Sequence, residues 1–435
     1  MAKGTQQTLG KGLELSLNAS VPYITTNIYQ QIENNKLDIP TSILWLSGSP
    51  GIGKSELLEQ VCEKNGFGLI VKYLGTMLIE QITGLPKGLT QASNSEAVEA
   101  LFTKIVGNDN KVDAEDKKML KHLFDDQSEE SATKWTIPEL FSMKNFRVDP
   151  RDDDSPIVLL LDDAHLCNKS IQSYLFQLLT LRSIHDHILP KNVAILLAGN
   201  RADDKAGYQQ IMAPISNRLF FVNVTCSVDD WVMNYAVSND IRVDIISFLQ
   251  ESESCFQSTP LESAAWASPR SWTYASRALD QYERIQNTNV ARGSSIEALQ
   301  VFMSGHIGTE YSGKYIEYVR LFMQWEADKI LTGRKKLPDV TKLARVEGYC
   351  LMSAMTGGLL KNLRKVDFKL GKDEDEQIEV YKKMLDGLMI SSKEIIPLGL
   401  KLLIVGESAR TQHVVVARKV LTNEYLINAV NDIVE

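Results

Sequence analysis

The chain has 435 residues, 44% hydrophobic and 23% charged, enough for two or three globular domains with real cores. A formal net charge of −8 disfavours broad electrostatic binding to nucleic acid, leaving open only a local basic surface. The five cysteines are scattered without a CxxC pair, which excludes a disulfide frame or cysteine zinc site and fits reduced cytoplasmic thiols; with no apolar signal core and no 18-residue apolar span, no membrane crossing is expected.

Residues 1 to about 40 lead into the first domain, with a helix expected over Tyr23 to Ile32 and a stop at Pro40. The apolar run Ile43 to Leu46 reads as a buried strand. GSPGIGKS follows, Gly48 to Ser55, and fits the pattern Gly, four residues, Gly-Lys-Ser/Thr of a phosphate-binding loop. Lys54 to Cys62 then carries apolar residues at helical spacing, Leu57, Leu58 and Val61. A strand, a glycine loop and a helix start surround a phosphate chain with backbone N–H groups and the positive end of the helix. The nucleotide-binding candidates are therefore Gly48, Ser49, Pro50, Gly51, Ile52, Gly53, Lys54, Ser55 and Glu56. Gly51 and Gly53 are placed to take the backbone angles that wrap the phosphates. Lys54 is expected at the β- and γ-phosphates of ATP, and the Ser55 hydroxyl on Mg²⁺.

Gly68 to Tyr73 reads as a second strand and Glu80 to Gly88 as a loop. Residues 107–134 turn polar and acidic, as an exposed insertion does. Trp135 to Phe141 is a mixed apolar segment. Five aliphatic residues, Ile157 to Leu161, then run into Asp162-Asp163 and read as a central parallel strand. Its carboxyl end belongs beside the phosphate loop, where open α/β sheets bind ligands. Asp162 is the second Mg²⁺ candidate, holding the cation usually through water, and Asp163 the carboxylate that orients or deprotonates the attacking water. Ser170 to Leu181 reads as a helix and Arg182 to Lys191 as a hairpin, with His185 and His187 as exposed residues on it. Val193 to Gly199 is another buried strand, ending at Asn200, which is either a plain turn residue or a contact to the γ-phosphate or its water. Arg218 precedes a last strand, Leu219 to Val224.

Asp229-Asp230-Trp231 looks like a helix cap with an acidic first turn. Ser295 to Phe322 reads as helix, broken near Gly313. Thr341 to Leu363 and Gln377 to Leu403 also show helical spacing. The basic clusters Arg334 to Lys336 and Lys361 to Lys365 read as solvated helical faces.

Together these pieces resemble the AAA+ ATPases, and within them the MoxR-like group. The matching stretches are GSPGIGKS, TGLP, WTIPELF, LLLDDAH, RSIHDHILP before LLAGNRADD, PISNRLFF, DDW and SPRSW, in family order over roughly residues 20 to 325. The fold this implies is a P-loop parallel sheet sandwiched by helices, then an α-helical lid and an α-helical C-terminal domain. The expected boundaries are 1–225 for the ATPase core, 226–325 for the lid and 326–435 for the C-terminal domain. The resemblance implies a ring, commonly a hexamer, with ATP between neighbours. It matches Asn200 to the sensor-1 position, Arg218 to the arginine finger and Arg270 to sensor 2. The plainer readings are a surface salt bridge for Arg218 and packing against Trp272 for Arg270. A remodeller or chaperone of a partner protein is implied, often one with a von Willebrand factor A domain. A nucleic-acid motor and an ATP-gated scaffold with slow hydrolysis are the alternatives. One departure stands out: Asp163 occupies a position where the family usually has Glu, and the shorter side chain bears on the efficiency of hydrolysis and not on nucleotide binding.

Overall fold

The computed structural model describes residues 13–87, 134–201, 204, 209–258, 264–286, 296–363, 372–391, 396 and 399. The acidic stretch 107–134 lies outside the described residues, apart from Lys134, as does the chain beyond 399.

The strands are β1 (Leu13–Ser16), β2 (Ile43–Gly48), β3 (Gly68–Tyr73), β4 (Pro86–Lys87), β5 (Lys134–Trp135), β6 (Ile157–Asp162), β7 (Ser183–Ile184), β8 (His187–Ile188), β9 (Val193–Gly199) and β10 (Leu219–Thr225). Six of them form one parallel sheet in the order β1-β10-β2-β9-β6-β3. Both faces of the sheet are covered, which is why β2, β6 and β9 read as unbroken apolar runs. Side chains alternate between the faces. Ile43, Trp45, Leu159, Leu161, Ile195 and Leu197 enter one core. Leu44, Leu46, Val158, Leu160, Leu196 and Ala198 enter the other.

β1 extends the sheet beyond β10, with Leu15 opposite Val224. Its four residues are too short to stand out in the sequence. The helices α1 (Val21–Lys36), α2 (Lys54–Asn65), α3 (Ile79–Thr83), α4 (Lys169–Leu181) and α5 (Ala213–Ser216) complete this domain. α1 carries Asn27, Gln31 and Asn35 at four-residue spacing, all buried. The Gln31 side chain accepts from Ile195 N–H at 2.8 Å and donates to Ile195 O at 2.7 Å. Asn27 donates to Ser42 O at 2.9 Å, and Asn35 to Val193 O at 3.1 Å. This amide stripe satisfies backbone groups at the entry to β2 and β9, where the two strands do not yet pair: their register begins only at Trp45 and Leu197.

Beyond the sheet run α6 (Val228–Trp231), α7 (Val243–Glu251), α8 (Pro269–Gln286), α9 (Ile296–Ile307), α10 (Thr309–Gln324), α11 (Ala327–Leu331), α12 (Arg345–Leu363) and α13 (Lys372–Ser391). One core joins them, from Val228 to Ile396, with Phe248 edge-on to Tyr315 at 5.6 Å and tilted to Trp272 at 5.7 Å.

Three local expectations change. Ile79–Thr83 is a short helix that takes up the start of the expected loop. The cap of α6 is Ser227, whose hydroxyl accepts from Asp230 N–H at 3.1 Å, so the acidic pair sits in the first turn without capping it. The helix break falls at Gly308, where φ is +86°, while Gly313 lies within α10.

Candidate functional site

The phosphate loop leaves the carboxyl end of β2 and turns into α2 at Lys54. Gly51 and Gly53 hold φ of +77° and +104°, angles that a side chain disfavours. The curl lets the Lys54 ammonium fold back over its own loop. It donates to Gly48 O at 2.7 Å, Ser49 O at 3.0 Å and Asn200 Oδ1 at 3.1 Å. Burial pulls this ammonium down to about 8, against the opposing pull of the Asp162 and Asp204 carboxylates, and the Arg270 charge lowers it further.

β6 ends beside it. The Ser55 hydroxyl donates to Asp162 Oδ2 at 2.7 Å, and Asp162 Oδ1 accepts from Asp163 N–H at 2.9 Å. Asp163 takes a left-handed backbone with φ of +53°, which opens the 3₁₀ turn Ala164–Leu166. Asp and Asn enter that region more readily than other residues with a side chain. The shorter carboxylate thus has a local reason at this position.

β9 delivers Asn200 one residue past its end, where Oδ1 meets Lys54. Two neighbours that sequence reading passed over bind the same loop. Asp204 Oδ1 accepts from the Ser49 hydroxyl at 3.0 Å, and Arg201 donates to Ser49 Oγ. The Asp204 carboxylate also accepts from Arg201 N–H at 3.0 Å. Their polar character in GNRADD was the available signal.

The helical region closes the cleft. Ser268 and Ser271 exchange reciprocal backbone bonds at the start of α8, Ser268 N–H to Ser271 Oγ at 2.8 Å and Ser271 N–H to Ser268 Oγ at 3.1 Å. Arg270 N–H then donates to Gly51 O at 3.1 Å, tying α8 to the phosphate loop. A π-helical turn, Val232–Ala236, brings Asn234 and Tyr235 to the same cleft, as α8 brings Tyr274 and Arg277. The cleft measures about 580 Å³, and Lys54, Ser55, Asp162, Asp163, Asn200 and Arg270 all line it.

Arg218 does not line it. Its guanidinium lies 4.5 Å from the Phe176 ring centre and donates to Pro214 O at 2.7 Å. His185 is likewise placed otherwise than an exposed hairpin residue: its ring stacks on Trp135 at 3.9 Å, and His187 Nε2 meets Trp135 O at 3.2 Å. The β7–β8 hairpin is thereby docked on the antiparallel β4–β5 pair. Among the described residues no group of His, Cys, Asp and Glu has a metal-holding arrangement of its own. The cysteines are free, and burial pushes the Cys62, Cys167 and Cys226 thiols up to about 12.

No family model matches the chain. No curated protein matches it either. Among solved structures, a mutant of Thermotoga maritima RuvB shares 12% identity at a TM-score of 0.33, over 74% of this chain and 81% of that one. The Thermotoga maritima RuvB Holliday junction branch migration motor shares 13% at a TM-score of 0.26, over 80% and 90%. The chemistry of the cleft rests on its own geometry.

Proposed function

We propose that this chain binds and hydrolyses ATP as an AAA+ ATPase of the MoxR-like kind. The observation that carries the proposal is the convergence of Lys54, Ser55, Asp162, Asp163 and Asn200 at the carboxyl ends of three adjacent parallel strands, under the first turn of α8. Each residue type matches one need of phosphoryl transfer. The loop amides and Lys54 take the phosphates. Asp163 holds the attacking water and accepts its proton. Asn200 orients Lys54 or that water, and Arg270 adds positive charge from the helical region.

The Ser55 and Asp162 oxygens suit Mg²⁺: two hard oxygen donors lie 2.7 Å apart, and they would hold the cation, Ser55 by its neutral hydroxyl and Asp162 by its carboxylate through water. When bound, Mg²⁺ supplies neutralisation of charge on the β- and γ-phosphate oxygens. Arg218, remote from its own cleft, serves that of the next subunit in a ring, by family resemblance a hexamer. The same resemblance makes the ring a remodeller or chaperone of a partner protein, with a von Willebrand factor A-domain protein as the partner to test. Titration calorimetry with ATP and Mg²⁺, together with phosphate release, tests the core of the proposal. Absence of both binding and release overturns it.

Asp163→Asn is expected to keep nucleotide affinity and to lose turnover by about 10²-fold or more, the scale of a general base. Asn tolerates the left-handed backbone as Asp does, so the fold is conserved. Turnover of Asp163→Asn equal to wild type would show that another carboxylate does the work. Asp163→Glu tests the reach of the shorter side chain: faster turnover identifies the native site as under-reaching, and slower turnover shows a strand end adjusted to Asp.

Binding is also expected to depend on pH. Phosphate raises the Lys54 value above the roughly 8 of the empty site, so binding takes up a proton wherever the free ammonium is partly deprotonated. The contribution is fully present below about pH 8 and is lost as pH rises toward the bound value. Calorimetry in buffers of differing ionisation enthalpy is expected to show proton uptake near pH 8.5 and little near 6.5; equal uptake at both would contradict the assignment.

A further inference from the structure

His165 stands three residues after Asp162, at the centre of the 3₁₀ turn Ala164–Leu166, and is 1% exposed. Its Nε2 lies 3.2 Å from Asn200 Nδ2. The direction of that bond follows from the other end of the amide. Lys54 Nζ can only donate, so the Asn200 atom facing it at 3.1 Å is the carbonyl oxygen. The Asn200 NH₂ group therefore faces His165, and Nε2 accepts, which puts the imidazole proton on Nδ1.

The surroundings are shaped to this ring. A Cβ added at Gly199 would sit 3.3 Å from His165 Nδ1 and 3.0 Å from the Trp45 ring, so the residue before Asn200 leaves room for the imidazole by having no side chain. Gln209 N–H donates to the His165 carbonyl at 2.8 Å, holding the turn from the far side.

We propose that His165 is a positioning residue: Lys54 sets which end of the Asn200 amide faces it, and the bond from Asn200 Nδ2 to His165 Nε2 anchors the other end, so that Oδ1 is held at the phosphate end of the cleft, ready to accept from Lys54 or from the attacking water. The proposal rests on the ATPase reading and deepens it. Without this partner the Asn200 amide is tied at its Oδ1 end alone and is free to swing when Lys54 turns to phosphate. His165 restrains the amide through Nδ2.

The test compares wild type, His165→Leu, His165→Gln, Asn200→Ala and the His165→Leu/Asn200→Ala double variant as full chains. His165→Leu is expected to lower kcat for ATP roughly two- to tenfold, the scale of one hydrogen bond, with KM unchanged. His165→Gln is expected to recover that loss, since its Oε1 reaches the place of Nε2 and can only accept. The double variant is expected to fall no lower than Asn200→Ala, because His165 acts through that residue. Unchanged kcat in His165→Leu, no recovery in His165→Gln, or additive losses in the double variant each overturn the proposal. A second readout needs neither turnover nor the Leu variant. In protein labelled with ¹⁵N at its six histidines, one buried Nε2 is expected to report an unprotonated acceptor whose shift moves in Asn200→Ala. A histidine spectrum unchanged by Asn200→Ala overturns the bond, whereas wild type that binds no ATP overturns the ATPase reading and leaves this second result to decide the bond.

Discussion

Arg218→Ala is expected to cost about 10³-fold or more in ATP turnover while nucleotide affinity of the isolated subunit stays at the wild-type value, the behaviour of an arginine finger. The structure makes this a sharp test. Within its own subunit the Arg218 guanidinium touches the Phe176 ring and Pro214 O and does not line the cleft. Losing a half-buried cation–π contact and the hydrogen bond to Pro214 O costs roughly 1–3 kcal/mol of stability, too little to unfold a chain of ordinary stability. A large loss of turnover with unchanged binding then has to arise in a neighbouring subunit's cleft. Mixing Arg218→Ala with Lys54→Ala subunits is expected to restore part of the activity, since some interfaces then join an intact cleft to an intact arginine. No rescue at any ratio, with mixed rings shown to form by light scattering, would sink the trans role. Turnover of Arg218→Ala at the wild-type rate would sink the finger itself.

Lys54→Ala is expected to abolish ATP binding. The ammonium reaches Gly48 O, Ser49 O and Asn200 Oδ1 from one point, which places it at the mouth of the loop where the β- and γ-phosphates belong. Stability is expected to hold or rise, because burial of this cation already works against its charge. Calorimetry and a thermal melt on the same samples separate the two effects. Lost binding with an unchanged melt confirms a phosphate ligand. Retained affinity would remove Lys54 from the site, and a collapsed melt would show that its three bonds hold the loop together.

Much of the site was legible because its parts are local. A phosphate loop is eight consecutive residues, and the hydrophobic run ahead of Asp162 announces a buried parallel strand without help from elsewhere. The boundaries of helices were less secure, since the difference between Gly308 and Gly313 as a break lies in which of them takes the left-handed φ. The short strands β1, β4 and β5 carry too few residues for a period to show, and they exist because a neighbouring strand supplies their hydrogen bonds.

What the chain order determined by itself was the set of chemical parts: a glycine loop closed by Lys54 and Ser55, two carboxylates at a strand end, an amide at another, and arginines downstream. Their assembly needed the tertiary structure. Asn200 meets Lys54 across 146 positions of sequence because β9 lies next to β2 in the sheet, and Arg270 reaches Gly51 because α8 folds back over the loop. The amide stripe of α1, the stacking of His185 on Trp135 and the His165–Asn200 bond are likewise contacts between distant segments. No periodicity encodes them, because each depends on the register and packing of elements that the sequence specifies separately. The position of Arg218 away from its own cleft belongs to the same class: only the folded subunit shows that its guanidinium rests on Phe176 and Pro214.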